Sequence, residues 1–253
     1  MRLDLFLLHK NLASSRTHAQ ELIRAGQVFM VTAGVKKRLS KPSLLIESED
    51  ANIIVELGPA NRFVSRGGLK LEGALDHLKL QVAGWTALDV GISTGGFTDC
   101  LLQKGAARVV GVDVGHGQLH PALKSDPRLQ LIEGVNAREL DLNADLAAVA
   151  PPFGFDLIVM DVSFISITLI IPKLPRLLKS GGTLLSLVKP QFEVGVEGIG
   201  RGGVVKDPGL YSGVEDTVTH ICASSGLNLK AYFESTIEGK DGNREFFVCA
   251  QKP

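Results

Sequence analysis

The stretch Leu88-Asp89-Val90-Gly91-Ile92-Ser93-Thr94-Gly95-Gly96-Phe97-Thr98 decides the fold. Apolar residues from Thr86 run through Asp89 and stop at Gly91, the pattern of a buried strand entering a sharp turn. A helix is expected to open at Gly95 and continue to Lys104. Gly91 lets the chain turn, while Gly95 and Gly96 let backbone approach a ligand closely. Ser93 and Thr94 can cap the helix or donate to an anion at its N-terminus. The glycine spacing is G-x-x-x-G-G, whereas a pyrophosphate loop reads G-x-G-x-x-G. A nicotinamide-dependent oxidoreductase is therefore disfavoured.

Outward from this loop, strands and helices alternate. Strands are expected at Thr86–Val90, Arg108–Asp113, Leu129–Glu133, Phe155–Asp161 and Thr183–Lys189, and helices at Gly95–Lys104, Gln118–Lys124, Ser166–Leu178 and Pro208–Ser224. Such alternation predicts an α/β fold, a parallel sheet covered on both faces. The last two strands, Leu229–Ile237 and Glu245–Ala250, are joined by a short turn at 239–243, which requires an antiparallel pair. The expectation is a doubly wound sheet with an antiparallel last strand.

With Asp89 before the first glycine, D-x-G-x-x-x-G resembles the S-adenosylmethionine loop of Rossmann-like class I methyltransferases. Backbone N–H groups at a helix start can hold that ligand's carboxylate, and an acid its ammonium. Twenty-two residues after Gly91 the second strand ends in Asp113, where the ribose hydroxyls of a nucleoside cofactor are held. Asn136, just past the third strand, is an adenine-side candidate and equally a turn residue. The cofactor set is Asp89, Gly91, Ser93, Thr94, Gly95, Gly96, Phe97, Asp113 and Asn136.

Ligands of open parallel sheets bind beyond the carboxyl ends of the strands. Asp161 and Lys189 end two apolar strands there, and the reversed last strand brings its first residue, Glu245, to the same edge. Lys70 lies in the helix before the first strand. Charges at the ends of apolar strands are costly to bury unless paired, so these two lysines and two acids are expected to converge. They are either structural ion pairs or a proton-handling site.

The chain has 253 residues, 27 basic and 27 acidic, so no uniformly basic coat exists. Residues 1–70 nevertheless hold 11 Lys and Arg against 6 Asp and Glu, a net of +5, which points to phosphate binding at the front. Ser14 or Ser15 is expected to cap a helix from Arg16 to Ala25, followed by Val28–Val31, a turn at 33–34, Lys36-Lys37-Arg38 and Ile53–Val55. This layout resembles the S4 RNA-binding domain. The resemblance implies RNA contacts from Arg16, Arg24, Lys36, Lys37, Arg38, Lys41, Arg62 and Arg66. The domains are expected at 1–58 and 66–253, with a linker at 59–65.

Cys100, Cys222 and Cys249 lie far apart without a C-x-x-C pair, which argues against disulfides or zinc and fits a reducing, cytoplasmic setting. The start MRLDLFLLHK does not read as a signal peptide. No apolar run reaches the roughly 20 residues of a membrane span.

"SRGGLKLEGAL", "LDVGISTGGFTDCLL", "VDVGHGQL", "DVSFIS", "LVKPQFEVG" and "GGVVKDP" resemble the TlyA family, also called hemolysin A, across essentially the whole chain. That family joins an S4 domain to an FtsJ-like methyltransferase domain. The resemblance implies 2′-O-methylation of ribosomal RNA cytidines, naked or in a ribosomal subunit, with S-adenosylmethionine and without a metal or membrane partner. It maps a catalytic Lys-Asp-Lys-Glu tetrad onto Lys70, Asp161, Lys189 and Glu245. Lys189 would take the hydroxyl proton, or Lys70 would stabilise the oxygen. The chain resembles the family's shorter form, expected to act on large-subunit RNA. Rival readings are a non-enzymatic RNA-binding protein and a pore-forming hemolysin.

Overall fold

The computed structural model describes every residue except 11, 14, 33, 49, 57, 59–61, 240 and 241, and leaves the Arg201 side chain undescribed. The chain forms two compact units, Met1–Arg62 and Phe63–Pro253. In the first, α1 (Leu3–His9) and α2 (Arg16–Arg24) precede β1 (Val28–Thr32), β2 (Val35–Arg38) and β3 (Ile53–Val55). The strands form an antiparallel sheet in the order β2-β1-β3. Ser15 caps α2, its hydroxyl accepting from the His18 N–H at 3.1 Å. The alternative cap, Ser14, lies outside the described residues, as does much of the expected linker.

Leu3, Phe6, Leu7, Leu22 and Ile23 build a small core around the helix pair. Asp4 is buried among them. It accepts from Arg2, from Arg16 Nε at 3.0 Å and from Gln20 at 3.0 Å. The hydrogen bond from Arg2, with those from Gln20 and Arg16, outweighs burial and holds this carboxyl well below the usual carboxylate range.

The second unit opens with α3 (Arg66–Leu78), then β4 (Thr86–Val90), α4 (Gly96–Gln103), β5 (Arg108–Asp113), β6 (Leu129–Glu133), α5 (Ala144–Val149), β7 (Phe155–Met160), β8 (Leu178–Val188), α6 (Leu210–Ser224), β9 (Asn228–Glu234) and β10 (Phe246–Gln251). The sheet order is β6-β5-β4-β7-β8-β10-β9. The strand pairs among β4–β8 are parallel, and β10 runs antiparallel to both its neighbours. Side chains alternate between two cores, as a sheet covered on both faces requires. Ile158 and Met160 enter one with Val218 of α6, Leu157 and Val159 the other with Leu71 and Leu101 of α3 and α4.

Three expectations are corrected. Residues 63–65, read as linker, belong to the second unit: Phe63 is buried, and the Val64 N–H donates to Asp99 Oδ2 at 2.8 Å. The helix expected at Ser166–Leu178 is two 3-10 segments, Ile167–Leu169 and Ile171–Arg176, because Pro172 and Pro175 remove donors and restrict the residues before them. The helix expected at Gln118–Lys124 is one 3-10 turn, Pro121–Leu123, with Pro121 at its start. No helix among the described residues is long and apolar enough to cross a membrane.

Candidate functional site

The chain leaves β4, builds β5 and β6 on one side, then returns to β7 on the other. The crevice beyond β4 and β7 is therefore the switch point where such sheets bind ligands. Gly91 turns there with φ +83°, and a Cβ would lie 2.9 Å from the Asp161 carbonyl oxygen, so the turn packs directly on the chain leaving β7. Gly95 has φ +94° at the start of α4. A Cβ there would meet Leu123 Cδ1 at 2.3 Å. The glycine thus also serves the turn and its packing against the segment after β5.

Two adjoining cavities share Gly91, Ser93, Asp161 and Ser163. The larger, about 470 Å³, is lined on the β5 side by Asp113 and Asn136 and on the β7 side by Val162 and Phe164. The smaller, about 170 Å³, reaches Asp89, Thr94, Gly96, Phe97 and Lys189, and also Ser65 and Gly67. Asp113 accepts from the Ser93 N–H at 2.8 Å and the Gly115 N–H at 2.7 Å. Asn136 accepts from the Arg138 N–H at 3.1 Å, so it caps a turn and lines the cavity at once.

Asp89 is 1% exposed. Its Oδ2 accepts from Thr98 Oγ1 at 2.7 Å, while Oδ1 has no hydrogen-bond partner among the described residues. Burial pushes its pKa up to about 7 in spite of the Thr98 bond. An orphaned carboxylate oxygen at the wall of the smaller cavity fits an ammonium group. Asp113 and the larger cavity beside it fit the nucleoside end of S-adenosylmethionine.

The four expected acceptor-side residues form two ion pairs. Lys70 Nζ lies 2.5 Å from Glu245 Oε2, with the residues 9% and 3% exposed. Lys189 Nζ lies 2.6 Å from Asp161 Oδ1 and donates to Ser163 Oγ at 2.8 Å. Phe246 pairs with Val188, so the antiparallel register sets Glu245 beside Lys189. The reversed β10 thus brings the two pairs to one sheet edge. Sequence reasoning missed Ser65, Ser163 and Phe164. Ser163 and Phe164 lie in the quoted "DVSFIS", and Phe164 is 92% exposed at φ +65°.

The basic residues of the first unit divide. Arg16 serves the buried Asp4, and Lys36 is ion-paired to Glu56. The Arg38 guanidinium lies over Gly26, where a Cβ would fall 1.6 Å from it. All three nevertheless remain exposed, as are Arg24, Lys37, Lys41 and Arg62. Arg66, exposed in the second unit, donates to the Glu238 carbonyl at 3.3 Å.

This sheet order, with a reversed strand and a buried acid before the glycine turn, defines an S-adenosylmethionine-dependent methyltransferase fold. Solved chains from Listeria monocytogenes, named as a candidate S-adenosylmethionine-dependent methyltransferase (15% identity), and from Mesorhizobium loti, named as such a methyltransferase (19%), share it, each at TM-score 0.52 over 72% and 71% of this chain and 99% and 96% of theirs. More particularly, the chain belongs to the FtsJ-like methyltransferase family, whose profile matches residues 63–252, and carries an S4 domain match at 1–29. It is 40% identical to the Mycobacterium tuberculosis 16S/23S rRNA (cytidine-2′-O)-methyltransferase TlyA, covering 98% of this chain and 88% of that one. It is 34% identical to the Campylobacter jejuni 23S rRNA (cytidine-2′-O)-methyltransferase TlyA, covering 98% of both. A solved chain from Streptococcus thermophilus, named as a candidate hemolysin, is 38% identical at TM-score 0.73, covering 100% of this chain and 88% of that one.

Proposed function

We propose that this protein transfers a methyl group from S-adenosylmethionine to the ribose 2′-oxygen of a cytidine in large-subunit ribosomal RNA, in the cytoplasm. The observation that carries the reading is the pair of ion pairs at one sheet edge, beside a cleft whose wall holds the orphaned Asp89 oxygen. The relatives named for this reaction support it. The Campylobacter relative, which the alignment covers almost fully, is named for 23S RNA.

Asp89 would hold the cofactor's ammonium, and Asp113 its ribose. The cofactor supplies an electrophilic methyl group, so the protein's task lies at the acceptor oxygen. Lys189 is an ammonium while it pairs with Asp161; once it has released that proton to solvent, the neutral amine takes the proton that leaves the 2′-hydroxyl, and Asp161 holds the ammonium so re-formed. Lys70, fixed by Glu245, faces the negative charge developing on the oxygen. Phe164 offers an exposed ring at the mouth for a nucleobase to stack on. Alignment of hydroxyl and donor supplies much of the rate. On the first unit, Arg16, Arg24, Lys36, Lys37, Arg38, Lys41 and Arg62 are exposed and are the candidates for RNA phosphates, with Arg66 on the second.

Transfer of labelled methyl to large-subunit RNA, followed by mapping of the modified ribose, tests this. Lys189→Ala should lower transfer by roughly 10²–10⁴-fold, the range for loss of a general base, with cofactor affinity nearly unchanged. Retained turnover in that variant, or label on a base, would refute the assignment.

A further inference from the structure

The loops that follow β7 and β8 carry Asp161 and Lys189, and they are laced together in successive rungs. Lys189 reaches Asp161 and Ser163 at 2.6 and 2.8 Å. The Phe192 ring lies 5.3 Å from that of Phe164. The last rung is Glu193, which the chemistry above does not use. Its Oε2 accepts from Ser166 Oγ at 2.5 Å, and its Oε1 from the Ile167 N–H at 2.9 Å. Ser166 Oγ also lies 2.6 Å from Thr168 Oγ1, so the turn at Ile167–Leu169 gathers on this carboxylate.

Two observations give the rung a purpose beyond packing. Between Ser163 and Ser166 the chain passes through Phe164 at φ +65°, a backbone that bulky residues hold only when their surroundings impose it. And Glu193 is a half-buried carboxylate whose hydrogen-bond donors both sit on the opposite loop. Burial pushes its pKa up, against the two bonds from Ser166 and Ile167. An apolar residue would fill the space without that desolvation cost. What the carboxylate adds is direction: two bonds to adjacent residues fix both the height and the twist of the β7 loop.

We propose that Glu193 is a positioning residue for methyl transfer, a latch that fixes the Asp161–Ser166 loop against the Lys189 loop so that Asp161, Ser163 and Phe164 stay in register with Lys189. This rests on the reading of the site given above. It assigns Glu193 no contact with substrate or cofactor.

The test compares Glu193→Ala, Glu193→Gln and Ser166→Ala in the full chain. It reads kcat and KM for methyl transfer to large-subunit RNA, cofactor affinity by calorimetry, and amide exchange at Ile167. Glutamine keeps both bonds, its oxygen accepting from Ile167 and its amide donating to Ser166. Glu193→Ala is expected to lower kcat about tenfold or more with cofactor affinity within about twofold, and to speed Ile167 exchange, as loss of two such hydrogen bonds predicts. Glu193→Gln is expected within about threefold of the parent on the same grounds. Ser166→Ala should lower kcat in the same sense, and adding it to Glu193→Ala should cost nothing further, because both remove one latch. If Glu193→Ala does not fold, the glutamine and Ser166 variants carry the same expectations. Parent-like kcat in Glu193→Ala, a glutamine variant as impaired as the alanine one, or losses that multiply in the double variant would overturn the latch. A parent protein that transfers no methyl group sinks the functional reading instead; Ile167 exchange unchanged in Glu193→Ala still sinks the latch.

Discussion

Asp89 carries a raised pKa because burial disfavours its charge more than one hydroxyl can offset. The folded chain holds this proton up to about pH 7, while the unfolded chain releases it near 3.8. The folded state thus binds more protons in that interval, and this group's contribution to stability falls as pH rises from about 4 to about 7. A ligand ammonium against Oδ1 reverses the penalty, since it favours the carboxylate. Cofactor affinity should therefore rise as pH passes through about 7. Asp89→Asn should flatten that rise and weaken binding by roughly ten- to a hundredfold, the worth of a charged hydrogen bond; titration calorimetry across pH decides it. That Asp89, Asp113, Asp161 and Lys189 would lie at the cleft was legible in the sequence because a charge at the end of an apolar strand is conspicuous, whereas Lys70, inside a helix, was singled out by the family resemblance. Glu193 and Ser65 were not legible, since their partners, Ser166 and the cavity wall at Gly96, lie on other loops. The ion pair of Arg16 with the buried Asp4 was not legible either, because Asp4 is twelve residues back in a different helix, which no local pattern announces. Arg16→Glu would set two carboxylates together in the core of the first unit and confuse folding with binding.

The turn from β4 into α4 joins donor and acceptor sides of the cleft. The backbone N–H of Asp161 donates to the Val90 carbonyl at 3.1 Å, which ties the chain leaving β7 to the residue just before Gly91. Gly91→Ala would add a Cβ 2.9 Å from the Asp161 carbonyl oxygen at a backbone angle that disfavours side chains. It should destabilise the second unit by about 1–3 kcal/mol, the cost of a strained left-handed residue, and displace Asp161. Calorimetric melting together with cofactor binding measures both; a variant with parent-like melting and affinity would refute the tight junction. β4 to β7 were legible within a residue or two because buried parallel strands read as continuous apolar runs, whereas β8 begins at Leu178, five residues before the expected Thr183, because Gly181-Gly182 reads as a turn, and β9 ends at Glu234, three residues short of the expected Ile237. The helices at 118–124 and 166–178 were misread because apolar spacing at helical period is also what short 3-10 turns show when prolines divide them.

Across the molecule, charge is divided while the total is nil: residues 1–70 carry +5, and the remainder, 16 basic against 21 acidic, carries −5. Lys37 and Lys41 are exposed in the first unit, clear of the Asp4 network. Lys37→Glu with Lys41→Glu should weaken RNA affinity and flatten its dependence on salt by roughly one unit of log–log slope per lost phosphate contact, with cofactor affinity unchanged. Filter binding over a salt series reads this, and an unaltered slope would count against RNA contacts there. The two-unit layout was legible from the change in charge and pattern, but the boundary was not, because Phe63 and Val64 are anchored by Gly68 and Asp99 farther along the chain. The final ribbon has a consequence for maturation. Lys70 and Glu245 stand 175 positions apart, and contacts closing so long a loop form late. The donor half of the crevice draws on residues up to Asp161 and Lys189, whereas the acceptor half is complete only once β10 has slotted in. A folding intermediate lacking that ribbon would be a mute decoy, able to sequester the methyl donor yet unable to turn it over.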